Sequence, residues 1–407
     1  MRIQRLEDGM REAVVVDAVR TPVGRYGGVL KDVRSDDMAA LCISEIARRN
    51  SLDPGKVEDV IFGCSNQAGD DNRNVGRMAL LLAGFPVEIG GQTINRLCGS
   101  ALNAINSAAQ AIKVGEGDVF IAGGTESMTR SPFVFGKAET AFPREVKVFD
   151  STIGWRFINP KMAEMYPPIG MGETAELVAE KYGITRQEQD EFALSTQKKW
   201  GAAFEAGKFK DETVNVPIPG KKGEVSVVDR DEHPRPDVTM EQLAKLKPAF
   251  KKDGTVTAGN ASGVNDGAAA VLLMEGQTAK QLGYKPIVRI VASAVAGVHP
   301  SYMGLGPIPA TRKALQRAGL KVEDLDLIEL NEAFAAQSIP CIRELGLDPA
   351  KVNVNGGAIA IGHPLGSTGA RIFATLVHEM KRRNARYGLV TMCIGVGQGI
   401  ATIVERV

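Results

Sequence analysis

The sequence predicts an α/β protein in which one layered unit occurs twice, with a loop-rich segment inserted between the copies. Three observations carry this expectation. Strand-like and helix-like segments alternate at both ends of the 407-residue chain, an order that yields layered α/β domains. A short string recurs, KVEDV at 56–60 and KVEDL at 321–325, each time after an amphipathic helix and before a strand. Between them, over residues 130–257, prolines punctuate NPKMAEMYPP, VPIPGKKGE and DEHPRPD, as loops do.

Taken in order, the first copy reads as a strand in EAVVVDAV (12–19), a helix in DDMAALCISEIARRN, the strand DVIFG, a helix over 72–84, the strand QTIN, a helix from Cys98, and the strand DVFIAGG. The inserted segment carries helical runs in ETAELVAEKYG and RQEQDEFALSTQKKWGAAFEAG. The second copy repeats the scheme with VRIVASAVAG, a helix in IPATRKALQRAGL, LDLIEL, a helix from Asn331, VNVN, a helix near 365–384, and the strands YGLVTMCIG and GIATIVER. Four segments are expected: an N-terminal extension at 1–10, a first half at 11–129 with 258–284, a loop domain at 130–257, and a second half at 285–407.

Bulk composition excludes several classes. Lys plus Arg number 49 and Asp plus Glu 48, a net charge of +1, so no global field draws the chain to nucleic acid or to an anionic membrane. No stretch reaches the roughly 18 uninterrupted apolar residues of a membrane span, and MRIQRLEDGM lacks the apolar core of a signal peptide. The five cysteines form no CxxC pair and no metal-ligand spacing, which argues for free thiols in a reducing compartment, the cytosol by default, and against a metal site.

The chemistry concentrates at three places. Cys98 stands where an apolar run gives way to a slim helix in NRLCGSALNAINSAAQAI. A thiol at a helix start faces unpaired N–H groups and the positive end of the dipole, which is expected to favour the thiolate. Cys42, amid the helix AALCISEI, reads instead as an inert buried thiol. Of the four histidines, His378 reads as lying on a wetted helix, and His233 and His299 each precede a proline in loops. His363 lies in NGGAIAIGHPLGSTGA, where glycines allow close backbone approach. Val57 precedes Cys98 by 41 residues and Val322 precedes His363 by 41, so a duplication related by a pseudo-twofold axis puts thiol and imidazole at equivalent places. Third, TMCIGVGQG ends a strand at Cys393. Its glycines are spaced GxGxG, and only eight residues follow Gly399, too few for the crossover helix of a dinucleotide site. A Gly395 N–H aimed at an oxyanion suits the pattern better, and Asn331 with Glu332 just after a strand suits a polar pair that fixes a water.

Together NRLCGSAL, GNASGVNDGAA, NEAFAAQ, NGGAIAIGHPLGSTGAR and CIGVGQG, in this order over nearly the whole chain, resemble the thiolase family. The resemblance implies a duplicated five-layered α/β/α/β/α fold with a loop domain, a homotetramer built as a dimer of dimers, acyl-CoA and coenzyme A as substrates, and no permanently bound cofactor. It also implies roles: Cys98 as the acylated nucleophile, His363 as its base and part of an oxyanion hole, and Cys393 as acid/base at the acetyl Cα. Asn331 would hold a water that completes the first hole, and the N–H groups of Cys98 and Gly395 would form the second. Ser262 would contact pantetheine, Arg235 the nucleotide, and Met171 the pocket. Relatives tend to begin near MREA, so residues 1–9 read either as a disordered extension or as a start placed too far upstream.

Departures from short-chain biosynthetic thiolases matter. GMG replaces their HMG, leaving Gly170, and STIGWRFINP at 151–160 resembles thiolases acting on 3-oxoadipyl-CoA. Two readings of Arg156 stand: it meets a distal carboxylate, or with Trp155 it fixes a loop at a subunit contact. A short-chain acetoacetyl-CoA thiolase is the alternative. A decarboxylating ketoacyl synthase, disfavoured by Cys393 and the few histidines, and a non-catalytic CoA-binding protein stand further off.

Overall fold

The computed structural model describes residues 11–220 and 223–407; the expected extension at 1–10 lies outside them. The main strands are β1 (Ala13–Arg20), β2 (Asp59–Gly63), β3 (Gly90–Ile94), β4 (Val119–Ser127), β5 (Asn265–Glu275), β6 (Val288–Gly297), β7 (Leu327–Leu330), β8 (Tyr387–Ile394) and β9 (Gln398–Arg406). The main helices are α1 (Ser35–Arg49), α2 (Val75–Leu82), α3 (Ser100–Val114), α4 (Met171–Tyr182), α5 (Arg186–Glu205), α6 (Pro307–Ala318), α7 (Ala335–Leu345) and α8 (Leu365–Arg383).

The strands pair in the order β7-β8-β9-β6-β1-β5-β4-β2-β3, yet the sheet is two sheets joined at a narrow seam. β1 and β6 meet through Val14↔Arg289 and Val15↔Val288. On either side the arrangement repeats. β3, β2 and β4 are parallel neighbours, and β5 and β1 follow antiparallel. In the second half β7 and β8 are parallel, and β9 and β6 follow antiparallel. Even the irregularities match, since β1 shifts register between Val15 and Asp17 and β6 between Ile290 and Ala292. A bulge repeated at equivalent positions is a designed feature of both copies.

Side chains alternate between two packed faces, as a period of two dictates. In β2, Val60 and Phe62 face outward against Met38, Ile43 and Leu80 of α1 and α2, while Ile61 faces inward. The inner faces of both sheets close over α3 and α8, whose Leu102, Ile105, Ile112, Phe373, Leu376 and Met380 form one cluster. A third cluster packs Ile308, Leu315 and Leu345 of α6 and α7 onto Leu330 and Ile403. The resulting order is helices, sheet, two central helices, sheet, helices, the five layers the resemblance implies.

Such burial demands slim central helices. Residues Gly366 to Met380 of α8 are all buried, and α3 presents Ala101, Ala104, Ala108 and Ala109. At the crossing, a Cβ on Gly369 would stand 2.4 Å from Leu102 N. His378, expected on a wetted face, is buried here and its Nε2 lies 2.8 Å from Ala18 O, because α8 has no solvent face along that stretch.

Other expectations are also corrected. α2 begins at Val75 rather than 72, where Asn74 caps it by accepting from Arg77 N after Asn72 and Arg73 adopt left-handed backbone. VNVN makes one parallel bridge, Ile328↔Val352, instead of a strand, since Asn353 turns its side chain onto the backbone of Leu330. The segment 130–257 is pinned to the first half by buried Arg20, which pairs with Glu212 and Asp231, each at 2.6 Å.

Replacing Gly369 by Val tests the helix crossing. Overpacking of this kind costs about 1–3 kcal/mol, so the thermal unfolding midpoint should fall; a midpoint equal to the parent's would mean that α3 and α8 do not approach so closely.

Candidate active site

The chain reaches Cys98 under strain. Leu97 has φ 48°, a left-handed conformation costly for a branched side chain, and Asn95 and Ser100 hold the turn, Leu97 N donating to Asn95 Oδ1 at 2.9 Å and Arg96 N to Ser100 Oγ at 2.9 Å. Gly99 is the N-cap of α3, and a Cβ there would meet Ile394 Cδ1 at 2.6 Å. The sulfur therefore stands two residues ahead of the helix rather than on its first residue.

His363 is fixed from three sides. Its backbone N–H donates to Asn265 Oδ1 at 2.9 Å, after Gly362 with φ 116°. Its Nδ1 lies 2.7 Å from Thr368 Oγ1, whose hydroxyl donates to Pro364 O at 3.1 Å. With its one proton committed to that carbonyl, the hydroxyl accepts from Nδ1–H, which leaves Nε2 unprotonated. Asn331 Nδ2 stands 3.5 Å from Nε2. Its Oδ1 is buried with no protein partner, an acceptor available to a ligand or a water.

Cys393 is the next-to-last residue of β8, opposite Gly399. Beyond it the backbone turns through Val396 (φ 63°) and Gly397 (φ 80°), a strained reversal for a β-branched residue. The GxGxG spacing is thus a tight turn; a Cβ on Gly397 would meet Val298 O at 2.3 Å.

These turns converge on one cleft. Cys98, His363, Cys393 and Gly395 line a cavity of about 450 Å³ together with Met171, Ser262, Phe250 and Phe334. Ser262 Oγ donates to Ala333 O at 3.0 Å. A second cavity of about 470 Å³ shares Cys98, Met171 and Gly395 and is otherwise bounded by Ser65, Asn66, Ser151, Trp155 and Arg156. The thiol stands where the two meet. Arg156 is half-buried and is the charged residue among those described as lining the second cavity; Trp155 Nε1 anchors its loop by donating to Ile169 O at 2.9 Å. Arg235 is exposed and lines neither cavity. Its backbone N–H donates to Gln197 Oε1, two residues beyond His233, whose ring packs where a Cβ of Gly263 would stand.

Electrostatically the site rests neutral. Burial pushes the Cys98 thiol up to about 11, although the N–H groups of Gly395 and of Cys98 itself pull it down. Burial drives His363 down to about 3, and nearby Arg371 adds to the effect. Cys393 is pushed well above the usual thiol range by burial, with Cys98 beside it contributing. The expected preformed thiolate at the helix start is therefore corrected: desolvation outweighs the helix N–H groups. What the arrangement offers is a neutral thiol, a neutral imidazole with a free Nε2, a second thiol, and N–H donors aimed at the first sulfur.

Glu332, expected to fix a water with Asn331, turns away instead. Its carboxylate accepts from Thr196 Oγ1, Asn353 Nδ2 at 2.7 Å and Ile359 N, a buried knot that holds α5 to the turn before His363. The sequence reading missed Thr368 and Asn265, which orient His363. Thr368 sits five residues past the histidine inside a quoted motif, a spacing that one helical turn could have flagged; Asn265 lies in another quoted motif, GNASGVNDGAA, but 98 residues from the histidine, with no local spacing to link them.

One prediction follows from the thiol. With its pKa near 11, the thiolate fraction grows about tenfold per pH unit between pH 7 and 9, and iodoacetamide alkylation of Cys98 in the free protein should rise in parallel; a plateau near neutrality would reveal a preformed thiolate–imidazolium pair.

Comparison with known proteins agrees with this architecture. Residues 13–277 match the thiolase N-terminal domain and residues 284–406 the thiolase C-terminal domain. The chain is 58% identical over 401 residues to the 3-oxoadipyl-CoA/3-oxo-5,6-dehydrosuberyl-CoA thiolase of Escherichia coli K12, covering 98% of this chain and 100% of that protein. It is 51% identical to the acetyl-CoA acetyltransferase of Syntrophomonas wolfei, covering 97% of this chain and 99% of that one. The crystal structure of the Bacillus anthracis acetyl-CoA acetyltransferase matches with a TM-score of 0.92 at 43% identity, covering 98% of this chain and 100% of that one. Matched by both domains along nearly its full length, and built around a cleft into which two thiols and an imidazole converge, this chain belongs to the thiolase family.

Proposed function

We propose that this thiolase cleaves 3-oxoadipyl-CoA with coenzyme A, through an acyl group carried on Cys98. Cys98 Sγ attacks the 3-oxo carbonyl while His363 Nε2 takes the thiol proton. The C2–C3 bond then breaks, its electrons passing to the acetyl-CoA enolate, and the Cys393 thiol gives C2 a proton. Coenzyme A next attacks the acyl-Cys98 thioester, its own thiol proton going to Cys393, and the cysteine sulfur leaves with the proton held by His363. The products are succinyl-CoA and acetyl-CoA, and run backwards the same steps are a Claisen condensation.

Two developing negative oxygens need donors. His363 with a water held by Asn331 serves the first, and the N–H groups of Cys98 and Gly395 serve the second; each such donor is worth about 3–4 kcal/mol of barrier. Ser262 and Met171 flank the pantetheine arm, and exposed Arg235 reaches for the nucleotide end. The observation that carries the reading is the placement of the nucleophilic thiol at the junction of two cavities, one for the pantetheine arm and one for the acyl chain.

The 3-oxoadipyl preference rests on Arg156. A guanidinium beside a cavity otherwise lined by neutral groups suits a terminal carboxylate in bidentate geometry, and the E. coli relative's name points the same way. A short-chain reading keeps one observation in its favour, the S. wolfei acetyl-CoA acetyltransferase. We further infer a cytoplasmic homotetramer, a dimer of dimers: Phe133, Phe135, Phe142 and Val146 are exposed on one hairpin and its loop, Phe142 at 92%, a patch that a second copy would cover.

Two measurements test the reading. After mixing with acetyl-CoA, peptide mass should find an acetyl group on Cys98, and an unmodified Cys98 would leave only a CoA-binding protein. Arg156→Gln should lower kcat/KM for 3-oxoadipyl-CoA by about 10- to 100-fold, the loss of a charged hydrogen-bonded pair, while acetoacetyl-CoA turnover holds; equal effects on both substrates would return Arg156 to a role in loop or subunit contact.

A further inference from the structure

We propose that Glu126, at the end of β4, is a positioning residue that locks the His363 helix of the second half to the acyl-side wall contributed by the first half. It is 2% exposed and touches neither reacting group. Its Oε2 accepts from Ser65 Oγ at 2.6 Å, Ser65 N at 2.9 Å and Gly366 N at 2.8 Å, and its Oε1 accepts from Asn66 N at 3.1 Å. Burial raises its pKa, against which the three backbone N–H groups, those of Ser65 and Gly366 at Oε2 and of Asn66 at Oε1, can only donate and so favour the ionised carboxylate.

The donors come from both halves of the fold. Gly366 is the second residue of α8 and lies three residues after His363. Ser65 and Asn66 bound the acyl-side cavity, and the Asn66 side chain donates onward to Ser151 Oγ at 3.0 Å, at the foot of the loop that bears Arg156. One carboxylate thus joins the base, the acyl-side wall and the specificity loop. The residue opposite is fitted to it: a Cβ on Gly366 would lie 2.6 Å from Glu126 Oε2 and 2.8 Å from Cys64 Cα, so only glycine lets the α8 N–H reach the carboxylate. The positive end of that helix favours the negative charge.

Charge gives the contact a second signature. The titratable groups around the carboxylate are Cys64 on the turn after β2, Asp71 on the following loop, and Cys98 before α3. Glu126 acts on Cys98 by raising its pKa. Removing the charge should therefore make the nucleophile easier to ionise while the misplaced base makes the enzyme slower, two effects of opposite sense that loss of packing alone would not produce.

The test uses the full-length enzyme and acetoacetyl-CoA thiolysis, so that its outcome is independent of the 3-oxoadipyl preference. In Glu126→Gln the amide NH2 meets a backbone N–H at whichever oxygen it replaces, Ser65 and Gly366 on one side or Asn66 on the other. A displacement of about 1 Å at a reacting group costs on the order of 10²-fold in rate, so kcat per alkylatable Cys98 should fall by about that factor with KM for CoA unchanged, while the alkylation profile of Cys98 moves to lower pH. Glu126→Asp, which keeps the charge, should restore part of kcat and the parent profile. Parent kcat per site in Glu126→Gln overturns the proposal, as does an unmoved alkylation profile. If Glu126→Gln yields no folded protein, Ser65→Ala decides: loss of one hydrogen bond to a charged acceptor should lower kcat about tenfold with KM for CoA unmoved, and parent kcat there overturns the proposal.

Discussion

The approach of α3 to α8 at Gly369 is the constraint on which the rest of the molecule depends. Two helices from pseudo-equivalent halves can touch backbone to side chain only where one lacks a Cβ, and the contact of Gly369 with Leu102 is of that kind. Once the pair is locked, the residues that precede each helix are locked as well. Cys98 and His363 each lie two residues before the helix of their own half, so the crossing that closes the central layer also aims thiol and imidazole into one cleft. Duplication supplies the symmetry; different residues at equivalent positions put a thiol on one side and an imidazole on the other, the nucleophile and base of the proposed mechanism.

Setting half-buried Cys98 and buried His363 in the middle layer, at the foot of a cleft, has an electrostatic consequence. Desolvation raises a thiol and lowers an imidazole, and here both effects keep the resting site uncharged. A neutral thiol is spared the adventitious alkylation and oxidation that follow thiolate character. In the proposed mechanism the charge separation arises during attack, when the substrate carbonyl becomes an oxyanion within reach of preorganised N–H groups. Thr368 matters in this light because it fixes the tautomer: an imidazole with Nε2 already protonated could not receive the thiol proton.

Much of this was legible in the chain. Alternation placed nearly every strand, the repeated KVED string placed the duplication, and residue types at two helix starts and one strand end singled out Cys98, His363 and Cys393. What stayed hidden has a common physical origin. Glu126 and Asn265 act through single hydrogen bonds to residues 240 and 98 positions away, and no local pattern records such a pairing. Glu332 was misjudged because a buried carboxylate beside a candidate site looks the same in sequence whether it faces the cleft or a knot behind it. The Cys98 environment was misjudged because a helix start can be read from small residues, whereas the layers that desolvate it come from the other half of the protein.

The same geometry separates chemistry from selectivity. The residues to which the proposed mechanism assigns bond making stand on turns held by the central helices and by β8, elements that cannot shift without opening the five-layer core. Arg156 stands on a loop outside that core, tied back by Trp155 to Ile169 O and through Ser151 to Asn66. Those ties fix where the loop begins and ends. On the proposed reading, changes confined to the Arg156 loop would alter the acyl chain accepted while Cys98, His363 and the N–H groups of Cys98 and Gly395 keep their places.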